Sequence, residues 1–385
     1  MSNDILDQFG DAYDAIKGEM GRFNLAIFGE TGAGKSTLIN AMFGLDIAQT
    51  GIGRPVTQET TFYEHPNGNL GVYDTKGTET GHSEKTIVEQ FRGIVEDSWT
   101  KPLEEQIHVA WFCVKADDLR IDDVQDSLIR DLAEMKLPVM LVITKAFPTT
   151  TGEPHPDHLE LVQSARERKM PISPDGEIFL VLAKGDEHRG AEAHGLQTLL
   201  DATFRVAPEG VEAALCAAQQ IDLTRKTKAA QRYVMLGAAA AATTCASPVP
   251  FSQAALIVPV QIAMMAQISA AFGLSVEKRA LASVAGAAFA ATGVTQAGRY
   301  IVGSLLKFVP VVGTAAGTAI EATVAATLTG AVGAAWIAVC TFLYKMDPAA
   351  VEALDKSVIT DLFKTEFKNA TQREARKGSS DSLPA

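Results

Sequence analysis

Positive charge is what this chain is short of. Its 34 Lys and Arg face 46 Asp and Glu, a formal net charge of −12 over 385 residues. Affinity for a nucleic acid backbone needs clustered Lys and Arg, so no nucleic acid partner is favoured. General adhesion to anionic lipid is disfavoured on the same ground. Cysteine is scarce as well: Cys113, Cys216, Cys245 and Cys340 are scattered, and no pair has metal-ligand spacing. That excludes a disulfide-built scaffold and fits the cytoplasm. The opening MSNDILDQFGDAYDAI has no basic start and no long apolar stretch, so no signal peptide is expected. His155 and His158 lie close in sequence, but Pro154 and Pro156 bracket His155 and predict a loop, with no third ligand to make a metal site.

Charge of either sign is missing from long parts of the second half. None occurs from Tyr233 to Val276, from 280 to 298, or from 322 to 344. Uncharged runs of about 18 or more residues are candidate membrane spans. These are rich in Ala, Gly and Thr rather than Leu, Ile and Phe, so two readings stay open. One is a compact helical domain with close small-residue packing. The other is a set of helical hairpins associated with a membrane surface, for which Arg225, Lys226, Lys228 and Arg232 would supply a flanking basic cluster. Gly313 and Gly317 have the spacing of a close helix contact, a weak signal in so glycine-rich a segment.

What the first half does contain is a phosphate-binding loop. Gly29-Glu30-Thr31-Gly32-Ala33-Gly34-Lys35-Ser36 follows the apolar run Leu25 to Phe28 and leads into the helix-like Thr37 to Phe43. Glycines let the backbone curl so that successive N–H groups face a phosphate chain. Lys35 adds charge, and the Ser36 hydroxyl is placed for Mg²⁺. The helix that starts there turns its positive dipole end to the same point. Further on, apolar strand runs 107–114, 138–143 and 178–182 alternate with helical patterns at 84–98, 122–135 and 193–205. Thr61–Glu64 and Asn69–Tyr73 flank the turn Pro66-Asn67-Gly68 and predict a hairpin. Asp122 is the expected N-cap of its helix. The pattern predicts an α/β domain with a mostly parallel sheet covered on both faces, its ligand at the carboxyl ends of the strands. A C-terminal all-α, Ala-rich domain is expected after it.

Taken in order, GETGAGKST, Thr57 in RPVTQET, Asp74-Thr75-Lys76-Gly77, Thr144-Lys145 and Ala183-Lys184 resemble the motifs of Ras-like translation-factor-class P-loop GTPases, of the Era, septin and immunity-related type. The resemblance covers about 20–205. It implies binding of GTP and GDP, slow GTP hydrolysis and Mg²⁺ as cofactor. By that resemblance the loop from Gly29 to Ser36, with Thr37, binds phosphates; Ser36 and Thr57 ligate Mg²⁺ with Asp74 in its outer shell. Lys35, Thr57 and Gly77 serve catalysis, Gly77 by sensing the γ-phosphate. Thr144, Lys145, Ala183 and Lys184 hold the base. Two positions depart from the pattern. Phe147 stands where the family has the Asp that accepts hydrogen bonds from guanine, with Asp186 a substitute; and no Gln follows Gly77, where His82 is the nearest residue able to position water. The segments 256–274 and 305–314 resemble a helical domain of unknown function that follows GTPase domains in many bacterial proteins.

The expected organisation is an N-terminal helix (1–20), a GTPase domain (21–207), a helical, membrane-associated or self-associating domain (208–376) and a disordered tail (377–385). The C-terminal helix is expected to start at Asp347-Pro348 and to bury Val351, Leu354, Val358, Leu362 and Phe363. The functional expectation is a GTP-binding, GTP-hydrolysing switch. A non-hydrolysing nucleotide sensor or a ribosome- or RNA-associated GTPase is the alternative.

Overall fold

The computed structural model describes residues 2–45, 54–57, 60–75, 84–245, 253–274, 285, 316–347, 350–351 and 354–380. Contacts divide the chain into two units, Met20–Asp222 and a second made of Met1–Glu19 with Leu223–Ala385. The chain therefore passes between units twice, and the first unit is an insertion within the second.

The inserted unit is built on a sheet of seven strands: β1 (Phe23–Phe28), β2 (Arg54–Pro55), β3 (Thr60–Glu64), β4 (Leu70–Thr75), β5 (Val109–Lys115), β6 (Val139–Thr144) and β7 (Ile178–Val181). Their order is β2-β3-β4-β1-β5-β6-β7. Pairings from β4 through β7 are parallel, while β2–β3 and β3–β4 are antiparallel. The predicted hairpin is present. β1 lies between β4 and β5, so successive connections leave it on opposite sides and open a crevice at its carboxyl end. β1 is buried along its whole length, with Leu25 and Ile27 in one core and Ala26 and Phe28 in the other. This double burial is why the strand runs are continuously apolar.

Helices α2 (Lys35–Phe43), α3 (Glu84–Trp99), α4 (Asp123–Glu134), α5 (Pro156–Glu167), α6 (Leu196–Val206) and α7 (Glu212–Ala218) cover this sheet. Asp122 caps α4 in a reciprocal capping box with Gln125. α5 corrects the loop expected around the two histidines: Pro156 occupies its first turn, where a missing N–H costs nothing, and His155 is its N-cap. The expected domain boundary after residue 207 also moves. Val211, Ala214, Leu215 and Ala218 are buried in the same core as β1, so the unit ends at Asp222.

The other unit contains α1 (Ser2–Met20), α8 (Leu223–Cys245), α9 (Gln253–Phe272), α10 (Ala316–Tyr344) and α11 (Lys356–Ser380). Phe9 of α1 is fully buried and meets Trp336 of α10 edge-on at 6.4 Å. Small residues allow close helix approach at Gly237 and Gly333. A Cβ on Gly237 would stand 2.7 Å from Met264 Sδ, and one on Gly333 2.6 Å from Val234. Gly313 lies outside the described residues. Ala322–Tyr344 is the one described stretch long and apolar enough to cross a membrane, at mean hydropathy 1.7, and half of it is buried among the other helices. Two of its polar side chains are paired inside the unit. Trp336 Nε1 donates to Ser269 Oγ at 2.9 Å, and Gln261 Nε2 donates to Thr329 Oγ1 at 3.1 Å.

Two details of the C-terminal expectation change. Ala350 and Val351 are helical, the Val351 N–H meeting Asp347 O at 3.1 Å as a start there requires. The long helix α11 begins only at Lys356, after the Asp355 carboxylate accepts the Ser357 N–H, so Leu354 lies outside it. It buries Phe363 as expected, together with Ile359, Phe367 and Thr371, and leaves Val358 exposed. The helix also runs on to Ser380, past the expected start of a disordered tail at 377. Lys226 leaves the basic cluster: it is fully buried, and its ammonium donates to Phe272 O at the end of α9 at 3.0 Å.

Candidate functional site

The phosphate loop leaves the end of β1 and returns as α2. Gly29, Gly32 and Gly34 all have positive φ, at 135°, 76° and 82°. The first is required by crowding, since a Cβ on Gly29 would stand 2.4 Å from Cys113 O. Gly32 by contrast faces open space, as a cradle for a ligand requires. No side chain caps α2, whose N-cap is Gly34, so its first N–H groups remain available to an anion. Lys35 Nζ donates to Gly29 O at 2.7 Å and Glu30 O at 3.3 Å, lying back across its own loop. Glu30 Oε1 in turn accepts from Gln125 Nε2 at 3.4 Å, linking the loop to the capping box of α4.

Asp74, the last residue but one of β4, is in register with Ile27 of β1, and the next residue, Thr75, donates through its hydroxyl to Ile27 O at 2.9 Å. Asp74 itself is different: its Oδ1 is buried and has no hydrogen-bond partner. Burial raises its carboxyl above the ordinary value, and the Lys35 ammonium pulls it partly back. An orphaned carboxylate oxygen beside a phosphate loop is the environment a divalent cation would complete. The half-buried Ser36 hydroxyl at the start of α2 is of the right donor type for the same ion. Oxygen donors alone suit Mg²⁺, so the residues present fit that group.

The base-side motifs also fall at strand ends. Thr144 closes β6, and its Oγ1 donates to Ala33 O of the phosphate loop at 2.6 Å. Lys145 has a positive φ of 53° and is exposed, with its stem passing 3.9 Å from where a Gly34 Cβ would stand. Ala183 is half-buried and Lys184 exposed, both just after β7. Thr57 Oγ1 accepts the Thr60 N–H at 3.0 Å, and residues 58 and 59 are not described. Gly77 and His82 lie outside the described residues. Asp186 Oδ1 accepts the N–H groups of His188 and Arg189 at 3.0 and 3.2 Å, and its Oδ2 lies 3.7 Å from Arg189 Nε. The residue that sequence reasoning missed is Arg189, whose guanidinium lies 4.4 Å over the Phe147 ring. Nothing in the local sequence pairs them. Among the described residues no group of three or more His, Cys, Asp or Glu could hold a metal.

A mostly parallel sheet with a phosphate loop after β1, an acidic strand end beside it and a threonine clamp from β6 is a P-loop GTPase fold, carried here with a C-terminal helical region. Residues 24–145 match the family described as a 50S ribosome-binding GTPase. Residues 212–371 match a domain of unknown function, DUF697. The second match starts within α7, which packs in the first unit. No curated protein matches the chain. Solved structures similar to parts of it include one described as a "probable GTP-binding protein engB", at 20% identity and TM-score 0.34, covering 48% of this chain and 97% of that one. Another is Era in complex with MgGDPNP and nucleotides of 16S ribosomal RNA, at 18% identity and TM-score 0.33, covering 56% of this chain and 67% of that one. The FeoB G-domain from Methanococcus jannaschii matches at 17% identity and TM-score 0.25, covering 51% and 98%.

Proposed function

We propose that this protein is a nucleotide-driven switch: its inserted unit binds and slowly hydrolyses GTP with Mg²⁺, and its helical unit responds by associating with a membrane surface or with a second copy of itself. The observation that carries the nucleotide half is the phosphate loop facing an orphaned buried Asp74 oxygen. Lys35 and the loop N–H groups bind the β- and γ-phosphates. Ser36, with Asp74 behind it, would hold Mg²⁺, which would supply charge neutralisation on the phosphates. Thr57 would complete that shell, and its segment would then be the one that responds to the γ-phosphate. With no glutamine after Gly77 to orient water, the intrinsic rate is slow.

Coupling is supported by the double crossing between units and by α8. Its outer surface carries exposed Met235 and Leu236, 66% and 64% accessible, after the exposed Lys228 and Arg232. An apolar patch beside basic residues suits a membrane interface. The test is phosphate release by purified protein against a Lys35→Ala control, with liposome flotation in GTP and GDP. Nucleotide binding without release above the control would make the protein a non-hydrolysing sensor. Failure to float in either state, with no nucleotide-dependent change in oligomer size, would remove the coupling.

A second reading is favoured by the description of the matched family: association with the ribosome. The net charge of −12 weighs against it. Salt-sensitive co-sedimentation with ribosomes in the presence of GTP would establish it.

A further inference from the structure

We infer that Gln125 is a positioning residue for the phosphate loop: it holds the Glu30 carboxylate aside, where it neither captures Lys35 nor repels the phosphates. This rests on reading residues 29–36 as the nucleotide site, and deepens it.

A carboxylate is out of place in a loop that receives a phosphate chain. Glu30 is the second residue of that loop and carries its one negative charge. Its backbone lies against the cation that serves the phosphates: Glu30 O accepts the Ala33 N–H at 3.0 Å and the Lys35 ammonium at 3.3 Å. A glutamate side chain rooted so close, with three rotatable bonds, has the reach to pair with that ammonium. Opposite charges within about 4–6 Å favour each other's charged form. A Glu30–Lys35 pair would therefore occupy the charge a phosphate needs. The same carboxylate, left free, would repel nearby phosphate oxygens.

The side chain is drawn the other way. Glu30 Oε1 accepts from Gln125 Nε2 at 3.4 Å, a residue 95 positions along the chain. Gln125 is only 8% exposed, and helix α4 fixes its amide. Asp122 Oδ1 accepts the Gln125 N–H at 2.8 Å, and Gln125 Oε1 accepts the Asp122 N–H at 3.3 Å, the two halves of the capping box. With Oε1 engaged by Asp122, the end of the amide turned to the loop is the donor, Nε2. A carboxylate accepts from such a donor. Capping alone would be met equally by Glu at this position, since Glu and Gln serve alike there. Only Gln adds a donor for Glu30.

That difference supplies the test: titration of the full chain, in Mg²⁺, with GDP and with a hydrolysis-resistant GTP analogue. Gln125→Glu keeps the capping acceptor and sets a second carboxylate against Glu30. It should weaken the analogue by about tenfold, and GDP by less, because GDP carries less charge to repel. The exchanged pair Gln125→Glu/Glu30→Gln restores one donor and one acceptor, and should return the analogue's affinity to within about threefold of wild type. Glu30→Gln alone removes the charge that needs holding, and should bind the analogue at least as tightly as wild type. Unchanged affinity in Gln125→Glu overturns the inference. So does a loss that the exchanged pair fails to rescue, which would mark position 125 as structural only. Weakening by Glu30→Gln also overturns it, and decides the matter even if Gln125→Glu melts early. If wild type binds neither nucleotide, the nucleotide reading fails and this one with it. If wild type binds and Lys35→Ala weakens binding while Gln125→Glu does not, this inference alone falls.

Discussion

The backbone N–H of Gln220 donates to the carbonyl of Met42 at 2.8 Å. It joins the end of the helix that carries the phosphate loop to the last residues of the inserted unit. Gln219 braces the same corner from a fully buried position, its Oε1 accepting the N–H groups of Ile221 and Asp222 at 2.9 and 2.7 Å. Gly44 ends the helix at φ 67°, with its missing Cβ only 2.3 Å from the Gln220 amide. Gly44→Ala should therefore destabilise the inserted unit by about 1–3 kcal/mol through backbone strain and overlap with Gln220. Urea unfolding followed by tryptophan fluorescence measures it, since Trp111 is fully buried in that unit and stacks on Phe43 at 5.8 Å.

Lys35 must leave two carbonyls to reach a phosphate. Lys35→Ala should lower nucleotide affinity by about a hundredfold, as expected when a charge-assisted phosphate contact is lost. Thermal stability without nucleotide should change little, because the replaced bonds are to partly solvated loop carbonyls. Titration and melting together check both halves.

Asp74 carries a pH signature. Its carboxyl holds a proton more firmly when folded than when unfolded. Its stabilising contribution is therefore present at acid pH, below the ordinary carboxyl value. It is lost as pH rises through the raised folded value. Asp74→Asn should raise the melting temperature at neutral pH in the absence of Mg²⁺ and flatten that dependence. The same variant should weaken Mg²⁺-dependent nucleotide binding. Melts from acid to neutral pH, with and without Mg²⁺ and nucleotide, test the pair of effects.

The N-terminal helix belongs with the helices at the other end of the chain. Phe9→Ala should cost about 3–5 kcal/mol in the helical unit, as for a fully buried aromatic. Nucleotide affinity should stay within about twofold, since sites with no shared partners are nearly additive. Unfolding of Trp336 fluorescence and nucleotide titration separate the two readouts.

The sheet was legible because strands buried on both faces must be apolar throughout, as Leu25 to Phe28 and Val139 to Ile143 are. The phosphate loop was legible because its chemistry needs contiguous residues. α5 was hidden by a Pro-His-Pro sequence that serves equally as a loop or a helix start. Close packing at Gly237 and Gly333 was hidden in a segment where small residues are everywhere and periodicity carries no signal.

By itself the sequence determined the phosphate loop, the order of the strands along the chain and the absence of an Asp at position 147, all of which depend on local spacing. Only the tertiary structure decided that the N-terminal helix joins the C-terminal helices, that Lys226 is buried, and that Arg189 stacks on Phe147. Each of these depends on which distant segments meet, and contact between distant segments is set by how faces pack, not by the residues next in line.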